Sequence, residues 1–273
     1  LLSRGAYDQQ DTSNELLPRT FSNLHPLAEG EPNTRLGLAR WLFQEDNPLT
    51  ARVAVNRYWQ MLFGAGLVKT PEDFGTQGAM PSHPELLDWL AIEFRESDWD
   101  IKAMIKRIVN SETYCQDSRI VSGEVLEIDP ANELLSRGPR FRLNAFALRD
   151  QALAASGLLE KSRGGPPVMP YQPAGLWDEL SAKGFKYVEA KDEGLYRRSL
   201  YTFWRRTVPP PSMMNFDSAG REVCAVNTSR TNTPLQAMNL LNDPQFVEAA
   251  RALGERMIKE AEAPTAESRI HRC

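Results

Sequence analysis

Apolar residues recur every three or four positions through much of the chain from Asn33 onward, the spacing of one helix face. Val55, Trp59 and Leu62 form one such stripe. Ahead of it Asn47-Pro48 reads as a cap followed by proline at the first helical position, and behind it Gly64 supplies the stop. Leu86, Leu87, Leu90, Ala91 and Phe94 form a second stripe, opened by Ser82-His83-Pro84-Glu85, which has the spacing of a capping box. A third stripe, Ile101, Met104, Ile105, Ile108 and Val109, follows Asp100 as its cap. The short turn from Glu96 to Trp99 predicts that the second and third helices pack as an antiparallel pair.

Beyond a polar break from Gln116 to Pro130, helical spacing returns in Ala145, Leu148, Ala152, Ala155 and Leu159, with alanines that let a neighbouring helix come close. Residues 161–175 read as loop, with Gly164-Gly165-Pro166-Pro167, Pro170 and Pro173. Arg197 to Thr207 is short, aromatic and β-favouring, and is the one candidate strand, ended by Pro209-Pro210-Pro211. Thr233-Pro234-Leu235-Gln236 opens a further helix with a capping box. Asp243-Pro244 opens the last, whose stripe is Phe246, Ala250, Leu253 and Met257. The class this predicts is mostly α, a multi-helix globular domain with one or two short strands.

Three prolines and a polar stretch make residues 1–32 a connector from a preceding domain. Residues 33–262 read as a single helical domain, and 263–273 as a tail with a cut end. The chain opens without Met, so both ends read as cuts in a longer polypeptide. Hydrophobic residues make up 41% and charged residues 25% of 273, enough for a sizeable core. A net charge of -4 lacks the basic field that nucleic-acid binding needs, so no nucleic-acid partner is expected. No run of about 18 apolar residues is present, so no membrane span is expected either.

Four blocks carry a family resemblance. They are NPLTARVAVNRYWQMLFGAGLV (47–68), PEDFGTQGAMPSHPELLDWLAIEF (71–94), FRLNAFALRDQALAASGLL (141–159) and SRTNTPLQAMNLLNDPQFVEAARALGERM (229–257). Together they resemble the planctomycete surface domain called domain of unknown function 1553, over nearly the whole chain from about Gly30 to Met257. The resemblance implies a C-terminal domain of a large exported protein, hence an extracytoplasmic location. It also implies a companion domain upstream, often preceded by a cytochrome-c-like domain. No catalytic residues come with it. Where relatives tend to carry an acid in the RLNAFALRD block, this chain has Phe146.

The chemistry that remains is narrow. Covalent haem needs Cys-x-x-Cys-His, and Cys115, Cys224 and Cys273 are scattered, so no cofactor is expected in this fragment and any haem belongs elsewhere in the parent protein. A Cys115–Cys224 bridge is one reading of the thiols; two buried thiols behaving as small apolar residues is the favoured one. His25, His83 and His271 show no metal-ligand spacing, so no metal site is expected. His83 reads mainly as a helix cap, with anion binding or acid–base work beside Asp73 or Asp88 as its functional alternative.

Asp217 and Glu222 flank a turn containing Arg221 and are the one pair suited to acid–base hydrolysis. The polar run Ser229 to Thr233 at a helix entrance adds donors suited to an anionic or hydroxyl-rich ligand. The candidate ligand-binding set is therefore Asp217, Arg221, Glu222, Arg230, Asn232, Gln236 and His83. Structural ion pairing around a loop is the competing reading. Arg57 within the first apolar helix is expected to pair with a carboxylate of another helix. Trp41, Trp89, Trp99, Trp177 and Trp204 could stack on sugars if exposed, but at this spacing they belong to a core. Two functions follow: a non-catalytic binding or scaffolding module whose partners are the preceding domain and a candidate glycan, or a polysaccharide hydrolase.

Overall fold

A computed structural model describes residues 19–119, 123–177 and 185–260, together with Asp8 and Ser13. Among the described residues there are ten α-helices. They are α1 (Arg35–Leu42), α2 (Thr50–Phe63), α3 (Pro84–Glu96), α4 (Ile101–Val109), α5 (Glu112–Cys115), α6 (Gly123–Ile128), α7 (Ala145–Ser156), α8 (Pro211–Asn215), α9 (Pro234–Asn242) and α10 (Pro244–Lys259). The chain divides into two compact units, residues 1–141 and 142–273. The mostly α class is as the periodicity predicts. The predicted strand is absent: Ser199–Tyr201 is a 3-10 turn, and among the described residues extended pairing is limited to isolated bridges such as Glu160 with Arg197 and Val168 with Thr202.

The first unit is built on α2 against α3. Its core joins Val55, Trp59, Leu67, Leu87, Leu90, Phe94, Met104 and Ile108. Trp59 stacks on Phe63 at 4.1 Å, and Phe94 meets Tyr58 and Trp99 edge-on. The two helices expected to pair, α3 and α4, share one core, Leu87, Leu90 and Phe94 with Met104 and Ile108. The chain turns between them through Asp98 and Trp99 with positive φ, and Arg107 on α4 pairs with Glu93 and covers Trp89 on α3. Ile101, expected in the stripe, is exposed.

Capping follows the prolines. Asn47 Oδ1 accepts the amides of Leu49 and Thr50 at 3.0 and 3.1 Å, the geometry of a cap, although the regular helix begins only at Thr50. The predicted Ser82 capping box does not form. A residue before proline is pushed out of the α region, so His83 (φ -134°, ψ 80°) is the cap position and Pro84 the first helical residue. Register between α2 and α3 comes from Arg52, whose Nε donates to Asp88 Oδ1 at 2.6 Å; Arg57, expected in that role, is exposed. Asn56 is fully buried and clamps the backbone of Val68, donating to its carbonyl at 3.0 Å and accepting its amide at 2.8 Å. Gly66 makes this approach possible, since a Cβ there would lie 2.6 Å from both Asn56 Nδ2 and the Val68 carbonyl. His25 stacks on Trp41 at 4.8 Å and accepts the indole N–H on its carbonyl, tying the end of the 1–32 segment to α1.

In the second unit α7 packs along α10. Its buried face is Ala145, Arg149, Leu153 and Ser156, one position round from the stripe predicted. On α10 the buried alanine is Ala249, not Ala250. On α7 the displaced Leu148 adjoins Arg149, which the fold takes inside; on α10 the half-buried Glu248 accepts the Tyr196 hydroxyl. The Thr233–Gln236 capping box forms with both of its hydrogen bonds, and Asp243 caps α10 through the Gln245 amide. Cys115 and Cys224 are both free and both exposed, which corrects the expectation of buried thiols; Cys273 and His271 lie outside the described residues.

Candidate functional site

Two left-handed residues shape the loop that follows α8: Asp217 at φ 59° and Arg221 at φ 63°. Aspartate tolerates this region better than most residues, because its short side chain bonds locally. Here that carboxylate is surrounded by donors. Thr231 gives its amide to Oδ2 at 2.7 Å and its hydroxyl to both oxygens at 2.9 Å, and Arg142 Nη2 reaches Oδ2 at 2.5 Å. Arg142 also donates from Nε to the Thr231 carbonyl, and its guanidinium lies 5.5 Å from the Phe216 ring centre. Desolvation pushes the Asp217 carboxyl up, but the Thr231 donors and the Arg142 charge outweigh it and hold the group below the ordinary carboxylate range.

Gln236 is drawn into the same knot. It is buried, donates to the Asn215 carbonyl at 2.9 Å and to Thr231 Oγ1 at 3.2 Å, and accepts the Thr233 amide at 3.2 Å. Thr231 thus links the turn after α8 to the start of α9. Arg230 neighbours Arg142; burial and that second positive charge both lower its pKa. Arg221 leaves the carboxylate and lies over the Trp204 ring at 4.4 Å, with Phe146 at 6.0 Å. Glu222 and Asn232 are exposed. His83 belongs to the first unit, where its Nδ1 meets Ser82 Oγ at 3.0 Å, while Asp88 is engaged by Arg52.

Two arginines that sequence reasoning passed over organise the interior of this unit. Arg149 is 5% exposed, and its guanidinium donates to Gln245 Oε1 at 2.7 Å and to the carbonyls of Arg197 and Leu195 at 2.8 and 2.7 Å. Burial lowers its pKa, opposed by the charges of Asp150 and Asp243. Arg197 donates to the carbonyls of Pro166 and Gly164, with Tyr201 stacked beneath it at 3.9 Å. An arginine four residues from both Ala145 and Leu153 was the available signal for the first. Of the tryptophans, Trp41, Trp59 and Trp177 are core; Trp89 is half-exposed beneath Arg107. Trp177 donates to Gln172 Oε1 at 2.6 Å and stacks on Tyr187 at 5.1 Å.

Among the described residues no group of three or more His, Cys, Asp or Glu side chains could hold a metal ion, and no helix is long and apolar enough to cross a membrane. The fold and this geometry define a mostly α-helical module whose inward polar groups brace its own backbone. Residues 34–273 match the family PSD1, described as a protein of unknown function (DUF1553), and the chain belongs to that family. No curated protein and no solved structure matches it.

Proposed function

We propose that this chain is a non-catalytic binding or scaffolding module of a large multidomain protein. The observation that carries the reading is the saturation of Asp217: donors from Thr231 and Arg142 occupy both carboxylate oxygens and tie two chain segments together. A carboxylate held ionised this way serves poorly as a proton donor to a leaving group. The hydrolase reading, with Asp217 and Glu222 as acid and base on a polysaccharide, has correspondingly less support. The resemblance supports an extracytoplasmic parent, with the preceding domain as partner, a glycan as candidate ligand, and haem confined to other parts of that parent. Large apolar side chains left exposed on α9, Leu235, Met238 and Leu241, also suit a chain that works in an assembly.

Asp217→Ala and Glu222→Ala separate the readings. The first variant lowers the thermal midpoint and the second leaves it unchanged, while glycan-array binding by folded Glu222→Ala matches the parent. Hydrolysis of a polysaccharide by the parent chain, abolished in a folded Glu222→Ala variant, would overturn the proposal.

A further inference from the structure

A second cleft, distinct from the Asp217 knot, lies between α10 and the segment that carries the 3-10 turns. It is small, about 90 Å³, room for a few waters or one compact head group. Leu153 and Leu195 line its apolar part, and Tyr171 and Tyr196 contribute two aromatic rings. Its charged lining consists of Glu189 and Glu248, with no basic side chain among the lining residues. Glu248 Oε1 accepts the Tyr196 hydroxyl at 2.8 Å, and neither carboxylate is in an ion pair with a described residue.

Two basic groups stand near the cleft without lining it, Arg149 and Arg251. Arg149 lies behind the wall, but its donors are committed to Gln245 and to backbone carbonyls, and Asp150 and Asp243 answer its charge. Arg251, one turn beyond Glu248 on α10, is turned to Glu255 at 3.8 Å. The hydrogen bond to Glu248, burial and the Glu248 charge raise the Tyr196 pKa, and the Arg251 charge opposes them in part. The contrast is a larger pocket beside α2 and α3, about 260 Å³, where Glu45, Asp46 and Asp88 share the lining with Arg52 and Arg95, and Asp88 is already paired with Arg52. That pocket carries guanidinium groups in its own lining; the small cleft does not.

We propose that the cleft between α10 and the Leu195–Tyr196 turn binds an organic cation, the ammonium head of a small amine or of a lysine side chain. Two carboxylates supply charge, the tyrosine rings supply polarisable faces that attract cations, and the leucines take the alkyl part. This goes beyond the scaffolding reading and rests on different residues, so failure of one leaves the other standing.

The test is a titration of the whole chain followed by backbone amide shifts, with three probes: tetramethylammonium chloride, N-acetyl-lysinamide and tert-butanol. The first stands for a free amine, the second for a side chain, and the third is the neutral near-isostere. Either cation should shift the amides of Leu195, Tyr196, Gln245 and Glu248 saturably, less so in high salt, and tert-butanol should not. A saturable response to tetramethylammonium alone assigns a free amine, and one to the lysine amide alone assigns a side chain. The Glu189→Gln, Glu248→Gln double variant keeps the shape and the Tyr196 acceptor, and should weaken cation binding about tenfold or more. Equal binding by that variant, an equal response to tert-butanol, or no saturable shift with either cation would overturn the proposal.

Discussion

The interiors of the two units are held by different forces. Residues 1–141 close around aliphatic and aromatic side chains from α2, α3 and α4, with Trp59, Phe94 and Leu90 at the centre. The described part of residues 142–273 has a smaller buried cluster, Ala145, Met213 and Phe216, with a separate aromatic group around Trp177, and adds guanidinium groups that reach backbone carbonyls. The difference follows from backbone accounting. Helices satisfy their own amides and carbonyls, so packing them needs only apolar contact. The stretch from Gly157 to Pro210 has isolated bridges and 3-10 turns among its described residues, so its buried carbonyls need other donors. Arginine offers five in a fixed fork, and Arg149 and Arg197 each serve two or more carbonyls.

Arg149→Met puts this comparison under the largest strain. It leaves the Leu195 and Arg197 carbonyls and Gln245 Oε1 without their donor, at about 1–3 kcal/mol for each buried acceptor left unsatisfied. Arg149→Lys should recover little of that, since one ammonium cannot reproduce the fork. In the first unit the matching conservative change, Leu90→Met, should cost less than about 1.5 kcal/mol. Denaturant midpoints check the magnitudes. Amide exchange checks the place: protection should fall in α7 and α10 and persist in α2 and α3. Recovery by lysine to within about 1 kcal/mol of the parent would break the account.

The contrast also explains what could be read from the sequence. Where apolar packing and local capping decide, the residues announce it: Asp100, Thr233 with Gln236, Asp243 and Gly64 all do in the structure what their spacing predicts. Where a polar side chain is taken inside, pattern reading fails. Arg149 counts as surface in any periodicity, so the α7 stripe was placed one position off. Arg197 and Tyr201, β-favouring by composition, instead brace the Gly164–Pro166 loop, a tertiary role with no local signature. Asp217 and Gln236 were found as a polar cluster, but their partner Arg142 lies about 75 residues earlier in the chain, beyond any local pattern.

Asn56 is the first unit's own exception, and it gives the next largest effect. Asn56→Leu keeps the branched heavy-atom skeleton but strands the amide and carbonyl of Val68, at about 1–3 kcal/mol for each group left unsatisfied. A loss no greater than that of Leu90→Met would show that the clamp is not needed. Gly66→Ala should be destabilising in the parent, because the new methyl meets the Asn56 side chain and the Val68 carbonyl at 2.6 Å. The two substitutions should be non-additive, since they act on one contact.

The smallest effect separates the units by charge. Asp217 has its folded pKa held below the ordinary 3.8, so the stability it contributes is fully present above that value and is lost as pH falls through the folded pKa. Asp217→Asn should therefore cost about 1–2 kcal/mol at neutral pH, in line with a charge-assisted hydrogen bond to Thr231 and Arg142. Below the ordinary carboxyl range the gap between parent and variant should close, because the parent's own carboxyl is then protonated. The Asn56→Leu gap, which involves no titrating group, should stay constant over the same range. Urea melts of the parent and both variants from neutral pH downward measure the two gaps together. A pH-independent Asp217→Asn gap would mean that the knot is held by shape rather than by its charge, and the second unit would then resemble the first more closely than its arginines suggest.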